Sequence, residues 1–298
     1  MIIFLKQGLK DSVNISLFSL TIADLLSLVM LGLLTVWYNP YYYSSDVCTV
    51  YETFRYIVGG VVRVTFDRVR GWITVFITFE RCLCIAMPLR VKAVLTNKRV
   101  AATMTLIFLL VIAGTLPVFY SNRPALRFYP KLNRTLFGIY YSWDSDLVDN
   151  ITFMFNIVIS TFGSFIAVIA CTVVMVTELN KKTKWRQKSA TSKFNSGKSK
   201  ISNKDVKVVK MVKLLSMVYI VCAGPTFVNT LWSIFDSEFS PFDVNRRQNL
   251  FLVFFMFSFL LESFNSSLSI FVYYFMSSRF RQTFQNFVPF FNFREIQE

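Results

Sequence analysis

The chain has 298 residues, of which 54% are hydrophobic and only 16% are charged. Soluble globular domains usually carry about 25% charged residues, and here the apolar residues come in long runs, so one large soluble domain is excluded. The net charge is +15 and His is absent, which argues against a zinc site or a His-based catalytic triad, and we expect no metal and no cofactor.

The N-terminal segment is short and apolar over residues 1–5, and Lys6 and Lys10 follow it. It is too short to cross a bilayer, which takes about 20 residues. It is not a signal peptide, because the charges come after the apolar run and no cleavage site is present. We expect it to be the last turn of a helix, most of which is missing from the sequence.

Five apolar runs are long enough to cross a membrane as helices. Only two acidic residues, Asp24 and Glu262, interrupt them. Including their flanks, the expected spans cover about 12–37, 98–120, 149–180, 205–235 and 246–275. The sequence therefore predicts an all-α, multi-pass transmembrane helix bundle, with a receptor domain over 1–288, a short surface helix over 276–287 and a cytoplasmic tail over 289–298.

A sixth span, 52–87, is ambiguous by hydropathy because eight charged residues lie within it. Charge in the loops decides the matter. The chain start and the segment 181–213, which holds twelve basic residues, both have the basic character of cytoplasmic segments. An even number of crossings must separate them, and 52–87 is the only candidate for the fourth.

The loops give the same orientation. Residues 90–99 carry four basic residues and no acidic one, as a cytoplasmic loop does. The basic loop 181–204 lies between two membrane spans, which argues against nucleic acid as its partner and for the lipid bilayer. Asn133, in the sequence Asn133-Arg134-Thr135, is a candidate glycosylation site on the outer side.

Several short motifs lie in order along the chain, each at the end of a span where it belongs. They are Leu20-Thr21-Ile22-Ala23-Asp24, Glu80-Arg81-Cys82, Pro88-Leu89, Cys222-Ala223-Gly224-Pro225, Ser269-Ile270-Phe271-Val272-Tyr273 and Phe280-Arg281 with Phe284. Together they resemble the rhodopsin-like (class A) G-protein-coupled receptors, most of all invertebrate peptide or chemosensory receptors. The resemblance implies a seven-helix receptor at the plasma membrane that signals from an extracellular ligand to a heterotrimeric G protein.

The resemblance also implies roles for individual residues. Glu80 holds Arg81 in the resting state, and Arg81 contacts the G protein when the helix containing Pro225 swings outward; Tyr273 belongs to the same switch. The alternative for Glu80 and Arg81 is ordinary anchoring at the membrane interface. The chain departs from the family at Ala223, which replaces a tryptophan.

Two further departures, Ser269 and Ile270, stand where the family has Asn-Pro. With these departures, Glu80-Arg81-Cys82 supports receptor identity better than it supports normal activation.

The helix 52–87 places six residues on one face, because they are spaced by three and four: Arg63, Asp67, Arg70, Thr74, Ile77 and Arg81. Charges within a membrane normally face the bundle interior and have partners there. We expect Arg70 to be the counter-charge of Asp24, in place of the sodium ion that the resemblance implies, with Glu262 and Asn265 completing the network. The alternative is a solvated cavity without pairing.

Arg63 and Asp67 lie nearer the outer side and are candidates for the ligand pocket, where Arg63 would meet an acidic group of the ligand. The alternative is an internal pair between these two residues, which are four apart on the helix.

Other functions stay open at this point. A truncated, non-signalling receptor remnant and a fragment of a transporter or channel are the alternatives. An enzyme is disfavoured, because the intramembrane acids form neither an aspartate pair nor a metal motif.

Overall fold

The computed structural model describes residues 1–8, 11–37, 60–87, 91, 95–129, 133–141, 145–191, 203–236 and 248–287. Several predicted features lie outside these residues. They are the start of the sixth span (52–59), Pro88-Leu89, the middle of the basic loop (192–202) and the tail (289–298).

The described residues include nine α-helices, two strands and a π-helical segment of seven residues. The helices are α1 (Ile2–Gln7), α2 (Ser12–Trp37), α3 (Arg63–Ala86), α4 (Asn97–Ser121), α5 (Ser145–Thr152), α6 (Ser160–Thr191), α7 (Asn203–Phe235), α8 (Gln248–Met276) and α9 (Ser278–Phe287). The strands are β1 (Asn122–Tyr129) and β2 (Arg134–Tyr141), and the π-helical segment is Phe153–Ile159.

Five of the helices contain segments long and apolar enough to cross a membrane: Ser12–Thr35, Asn97–Ser121, Ser160–Lys181, Val209–Phe235 and Asn249–Phe275. Much of their surface is apolar and exposed, as in Leu109, Val221 and Phe275, because the solvent of these faces is lipid rather than water. The predicted all-α membrane bundle is confirmed.

Helix α3 is too charged to qualify by hydropathy, yet it lies in the middle of the bundle. Its 24 residues make it about 36 Å long at 1.5 Å per residue, enough to cross the hydrocarbon layer. It packs against α2, α4, α6 and α7. An apolar edge that includes Val69, Ile73 and Ile77 supplies the packing surface and is almost fully buried.

Small side chains bring neighbouring helices close to α3. A Cβ added at Gly71 would lie 2.8 Å from the Tyr219 hydroxyl, and one at Gly163 would lie 3.3 Å from the Trp72 ring. The Trp72 indole N–H donates to Ser160 Oγ at 2.9 Å, which fixes α3 against the start of α6. Helices α6 and α7 therefore both pack closely against α3 around Gly71 and Trp72.

An antiparallel hairpin and a π-helical segment were not predicted. Strands β1 and β2 pair with Asn122 opposite Tyr141 and Tyr129 opposite Arg134. Asn133, exposed in the turn, has a φ of 47°, a left-handed conformation that Asn tolerates better than most residues. The candidate glycosylation site is thus at the tip of the hairpin.

The inner ends of α1, α8 and α9 share an aromatic cluster. The Phe4 ring lies 5.5 Å from that of Tyr273 and 5.4 Å from that of Phe280, and Phe284 stacks beyond Phe280. Residues 3, 4, 273 and 280 are all buried. Helix α9, at the position of the predicted surface helix, is therefore held by its aromatic face, while Arg281 is exposed.

Candidate functional site: the charged face of helix α3

The charged face of α3 is buried along its whole length. Arg63 is 1% exposed and Glu80 is also 1% exposed, although each carries a charge that water would solvate strongly. The other members of the predicted stripe, namely Asp67, Arg70, Thr74, Ile77 and Arg81, are buried as well. Ion pairs and hydrogen bonds must therefore offset the desolvation of these charges.

Arg63, at the outer end of α3, reaches across to α8. Its Nη2 donates to the Phe259 carbonyl at 2.8 Å and to Ser263 Oγ at 2.9 Å. The guanidinium also lies 4.8 Å from the centre of the Phe259 ring. Its Nη2 is 4.0 Å from Asp67 Oδ2, so the internal pair that was the alternative to a ligand role is present, but the closer contacts of Arg63 are with α8.

Arg70, two turns further along α3, repeats this arrangement. Its Nη1 donates to the Glu262 carbonyl at 2.7 Å and makes a short hydrogen bond to Ser266 Oγ. In both cases one guanidinium bridges a carbonyl and the serine four residues later. We call these two contacts the arginine clamps; the outer one is formed by Arg63 and the inner one by Arg70. They fasten α8 to α3 at two levels.

The carboxylates around Arg70 are arranged unequally. Arg70 Nη2 lies 3.4 Å from Asp67 Oδ1, and Nη1 lies 4.0 Å from Asp24 Oδ1. The Ser27 hydroxyl of α2 donates to Asp67 Oδ1 at 2.7 Å. Arg70 therefore does meet Asp24, but its nearer charged partner is Asp67, which in turn is bonded to α2.

Several buried carboxylate oxygens make no hydrogen bond of normal geometry with the described residues, although Ser266 and Ser269 lie close to Asp24. They are both oxygens of Asp24, Oδ2 of Asp67 and Oε2 of Glu262. The interaction of these oxygens with the arginines is therefore one of charge rather than direct hydrogen bonding. Arg68 lies off the stripe, is buried, and interacts electrostatically with Glu262 and Tyr219.

Glu262 is part of the inner clamp, and Asn265 lies between Glu262 and Ser266 in the sequence of α8. Glu262 Oε1 accepts a hydrogen bond from Thr226 Oγ1 of α7 at 2.8 Å. Asn265 is buried, and its carbonyl accepts a bond from Ser269 Oγ at 3.2 Å. Glu262 is thus joined to both Arg70 and α7.

At the inner end of α3, Glu80 and Arg81 are in direct contact. Arg81 Nη2 lies 2.7 Å from Glu80 Oε1, and the Ser12 hydroxyl of α2 donates to the same oxygen at 2.7 Å. Ser16 Oγ lies 3.4 Å from the other oxygen, Oε2. Glu80 therefore holds Arg81 against α3 while α2 holds Glu80.

Pro225 lies on α7 and Tyr273 lies on α8. Pro225 lies inside α7, where it removes one backbone hydrogen bond and weakens the helix locally. Tyr273 is 3% exposed and meets the Phe4 ring edge-on. Neither residue contacts the Glu80–Arg81 pair through a described hydrogen bond.

The sequence analysis missed the hydroxyl partners of the charged residues: Ser12, Ser16, Ser27, Thr226, Ser263 and Ser266. Their positions carried no separate signal, because many serines and threonines in these helices bond to a carbonyl of their own helix, as Thr21 does. Each clamp serine lies four residues after the residue whose carbonyl shares its arginine, which is Phe259 or Glu262. This spacing becomes informative only once α8 is known to pack on α3.

Comparison with known proteins agrees with this architecture. The family model described as 7 transmembrane receptor (rhodopsin family) matches residues 1–273. A search of curated proteins gave no match. Since the family match covers nearly the whole chain, its receptor function and its several membrane crossings apply here, and enzyme activity does not. The chain belongs to the rhodopsin family of seven-transmembrane receptors.

Proposed function

We propose that this receptor lies in the plasma membrane and transmits the binding of an extracellular ligand to a heterotrimeric G protein. The observation that carries the proposal is the buried contact between Glu80 and Arg81 at the inner end of α3, 2.7 Å long. A charge-assisted hydrogen bond of this length is strong, and it keeps the guanidinium from any partner outside the bundle. Release of Arg81 would give a G protein a cationic contact at the cytoplasmic mouth.

The outer arginine clamp supports a role for Arg63 in ligand recognition. Its guanidinium faces three neutral acceptor groups of α8, namely the Phe259 carbonyl and ring and the Ser263 hydroxyl. Among the described residues, its charged neighbour is Asp67, 4.0 Å away. A carboxylate on a peptide or a small chemosensory molecule would be a stronger bidentate partner than these.

A set of peptides with either a free or an amidated C terminus tests the ligand proposal. We expect activating peptides to need the free carboxylate and to lose potency on Arg63→Gln, while Arg123→Gln in β1, beyond the bundle, leaves potency unchanged. Equal potency of acid and amide forms, together with an unaffected Arg63→Gln variant, would remove Arg63 from the ligand site.

Asp24 does not fit a sodium ion in this chain. The Arg70 guanidinium lies 4.0 Å from its carboxylate, and a second cation there would be repelled by the first. We propose that Arg70 is the permanent counter-charge of Asp24, shared with Asp67. Receptor behaviour should then not depend on sodium.

Nucleotide exchange tests the coupling proposal. The receptor in lipid nanodiscs would be mixed with each main class of purified heterotrimeric G protein, and exchange of GDP for labelled GTP would be followed. We expect receptor-dependent exchange on at least one class, abolished by Arg81→Ala and retained by Lys98→Ala, an exposed cation at the start of α4. Exchange on no class, or equal exchange by Arg81→Ala, would contradict the proposal.

A further inference from the structure

Helix α7 continues through Pro225, but its ladder of backbone hydrogen bonds is interrupted there, and we call this point the break. The residue that follows the break is tied to a neighbouring helix. Proline in a helix interior lacks the N–H that would bond to the carbonyl four residues earlier, here that of Val221. Thr226 is fully buried, and its Oγ1 donates to Glu262 Oε1 at 2.8 Å. The weakest point of α7 thus carries a side-chain bond to α8.

Glu262 is itself anchored on its other side. Its carbonyl accepts a hydrogen bond from Arg70 Nη1 at 2.7 Å, in the inner clamp. One residue therefore joins three helices, with its backbone bonded to α3 and its side chain bonded to α7. A movement of α8 relative to α3 would therefore displace Thr226 through its hydrogen bond with Glu262.

The rest of α7 is held differently on the two sides of the break. On the outer side, Asn229 Nδ2 donates to Ser258 Oγ at 2.7 Å and to the Phe254 carbonyl at 3.1 Å, which binds that half to α8. On the inner side, Ser216 Oγ lies 3.1 Å from Thr78 Oγ1 of α3. Thr226 lies at the boundary between an outer half held by α8 and an inner half held by α3.

We propose that Glu262 is a positioning residue that sets the resting angle of α7 at Pro225 through its bond with Thr226. When this bond breaks, the inner half of α7 swings about Pro225 while Asn229 keeps the outer half in place. The bond couples the inner arginine clamp to the α7 break, so disturbance of the clamp is passed to the cytoplasmic end. The consequence for signalling rests on the proposed coupling to a G protein, but the swing itself does not.

The test compares two threonines one turn apart. Thr226→Val removes the bond to Glu262 without changing charge or size, and Thr226→Ser restores the hydroxyl. Thr230→Val is the matched control, because Thr230 is equally buried and its hydroxyl donates to the Thr226 carbonyl of its own helix. Nitroxides attached through unnatural amino acids at the exposed positions Ala102 and Leu214 would report the distance between the inner ends of α4 and α7 in nanodiscs.

We expect Thr226→Val to raise the ratio of swung to resting receptor about fivefold, the factor that one buried hydrogen bond typically supplies. Thr226→Ser and Thr230→Val should keep the wild-type distance distribution. An unchanged distribution in Thr226→Val, or the same change in Thr230→Val, would overturn the inference. A distance change in a receptor that activates no G protein would leave the inference standing and refute the coupling proposal instead.

Discussion

The two ends of the charged face of α3 are built in opposite ways. At the inner end, Glu80 has a partner for each carboxylate oxygen, supplied by Arg81, Ser12 and Ser16. In the outer and middle part, Asp24, Asp67 and Glu262 all keep oxygens that make no hydrogen bond of normal geometry with the described residues. We call the inner contact a closed pair because its carboxylate is fully hydrogen-bonded, while Arg81 Nε has no partner among the described residues. In the outer part the carboxylates themselves are only partly hydrogen-bonded.

This difference indicates that the two parts of the charged face have different roles. A buried polar group without a partner costs free energy, so the outer part is the less stable of the two and the easier to rearrange when a new charged group enters. The closed inner pair resists rearrangement and suits a resting state. We expect a ligand to act on the outer part, with the effect passed inward through α8 and α7.

The largest effect is expected from Arg70→Met, which would leave the buried Asp24 and Asp67 without their shared cation. Breaking a buried pair by removing one partner costs about 3–5 kcal/mol, so the melting temperature of the purified receptor in detergent should fall strongly. Asp24→Asn in the same chain should recover part of the loss. Arg281→Met, at an exposed position of α9, should change little. A small effect of Arg70→Met would mean that the outer charges are solvated rather than paired.

The next effect is expected from Glu80→Gln, which removes the charge that holds Arg81. A hydrogen bond between charged groups is worth about 1.5–3 kcal/mol, so ligand-independent nucleotide exchange should rise roughly tenfold or more. Glu178→Gln is the control, because its contact with Lys181 has the same 2.7 Å length but lies on the surface, where such pairs contribute little. Equal exchange in the two variants would show that burial of the inner pair is unimportant.

A smaller effect is expected from Ser263→Ala, which removes one of the two α8 acceptors of the outer clamp. The loss of one neutral partner should lower the free energy of unfolding by about 1 kcal/mol, measured by thermal unfolding. Ser267→Ala provides the comparison, since its hydroxyl donates to the Ser263 carbonyl within α8. If both variants lose the same stability, the Arg63 contact adds nothing beyond an ordinary helix hydroxyl.

The smallest effect is expected from replacing sodium with choline at constant ionic strength. Because Arg70 already lies beside Asp24, neither melting temperature nor basal exchange should change. Sodium-dependent stabilisation that disappears in Asp24→Asn would show that Asp24 binds the ion despite Arg70.

Much of the fold followed from the sequence, since five apolar runs predict five spans on length alone. Helix α3 could be predicted to cross the membrane only with the additional argument from loop charge, because its many charged residues lower its mean hydropathy. The hairpin of β1 and β2 and the π-helical segment Phe153–Ile159 were missed. The hairpin sequence has neither a long apolar run nor a clear turn signal, and the segment 153–159 has the same apolar composition as the rest of the expected span 149–180.

The sequence predicted which charged residues form the candidate site, but it did not predict their hydrogen-bond partners. Helical spacing placed Arg63, Asp67 and Arg70 on one face, and that face is buried. Spacing could not show that Arg70 lies nearer to Asp67 than to Asp24, since that depends on the positions of helices relative to one another. For the same reason the link from Glu262 to Thr226 appears only when α7 and α8 are packed together.

The most direct test of the account is ligand-independent nucleotide exchange by wild type, Glu80→Gln, Arg81→Ala and the double variant, at equal receptor amounts in nanodiscs. If the inner pair restrains Arg81, Glu80→Gln exchanges faster than wild type, and adding Arg81→Ala to it removes the gain. Exchange by the double variant that stays as high as in Glu80→Gln would contradict the account, because Arg81 would then not be the group that Glu80 restrains.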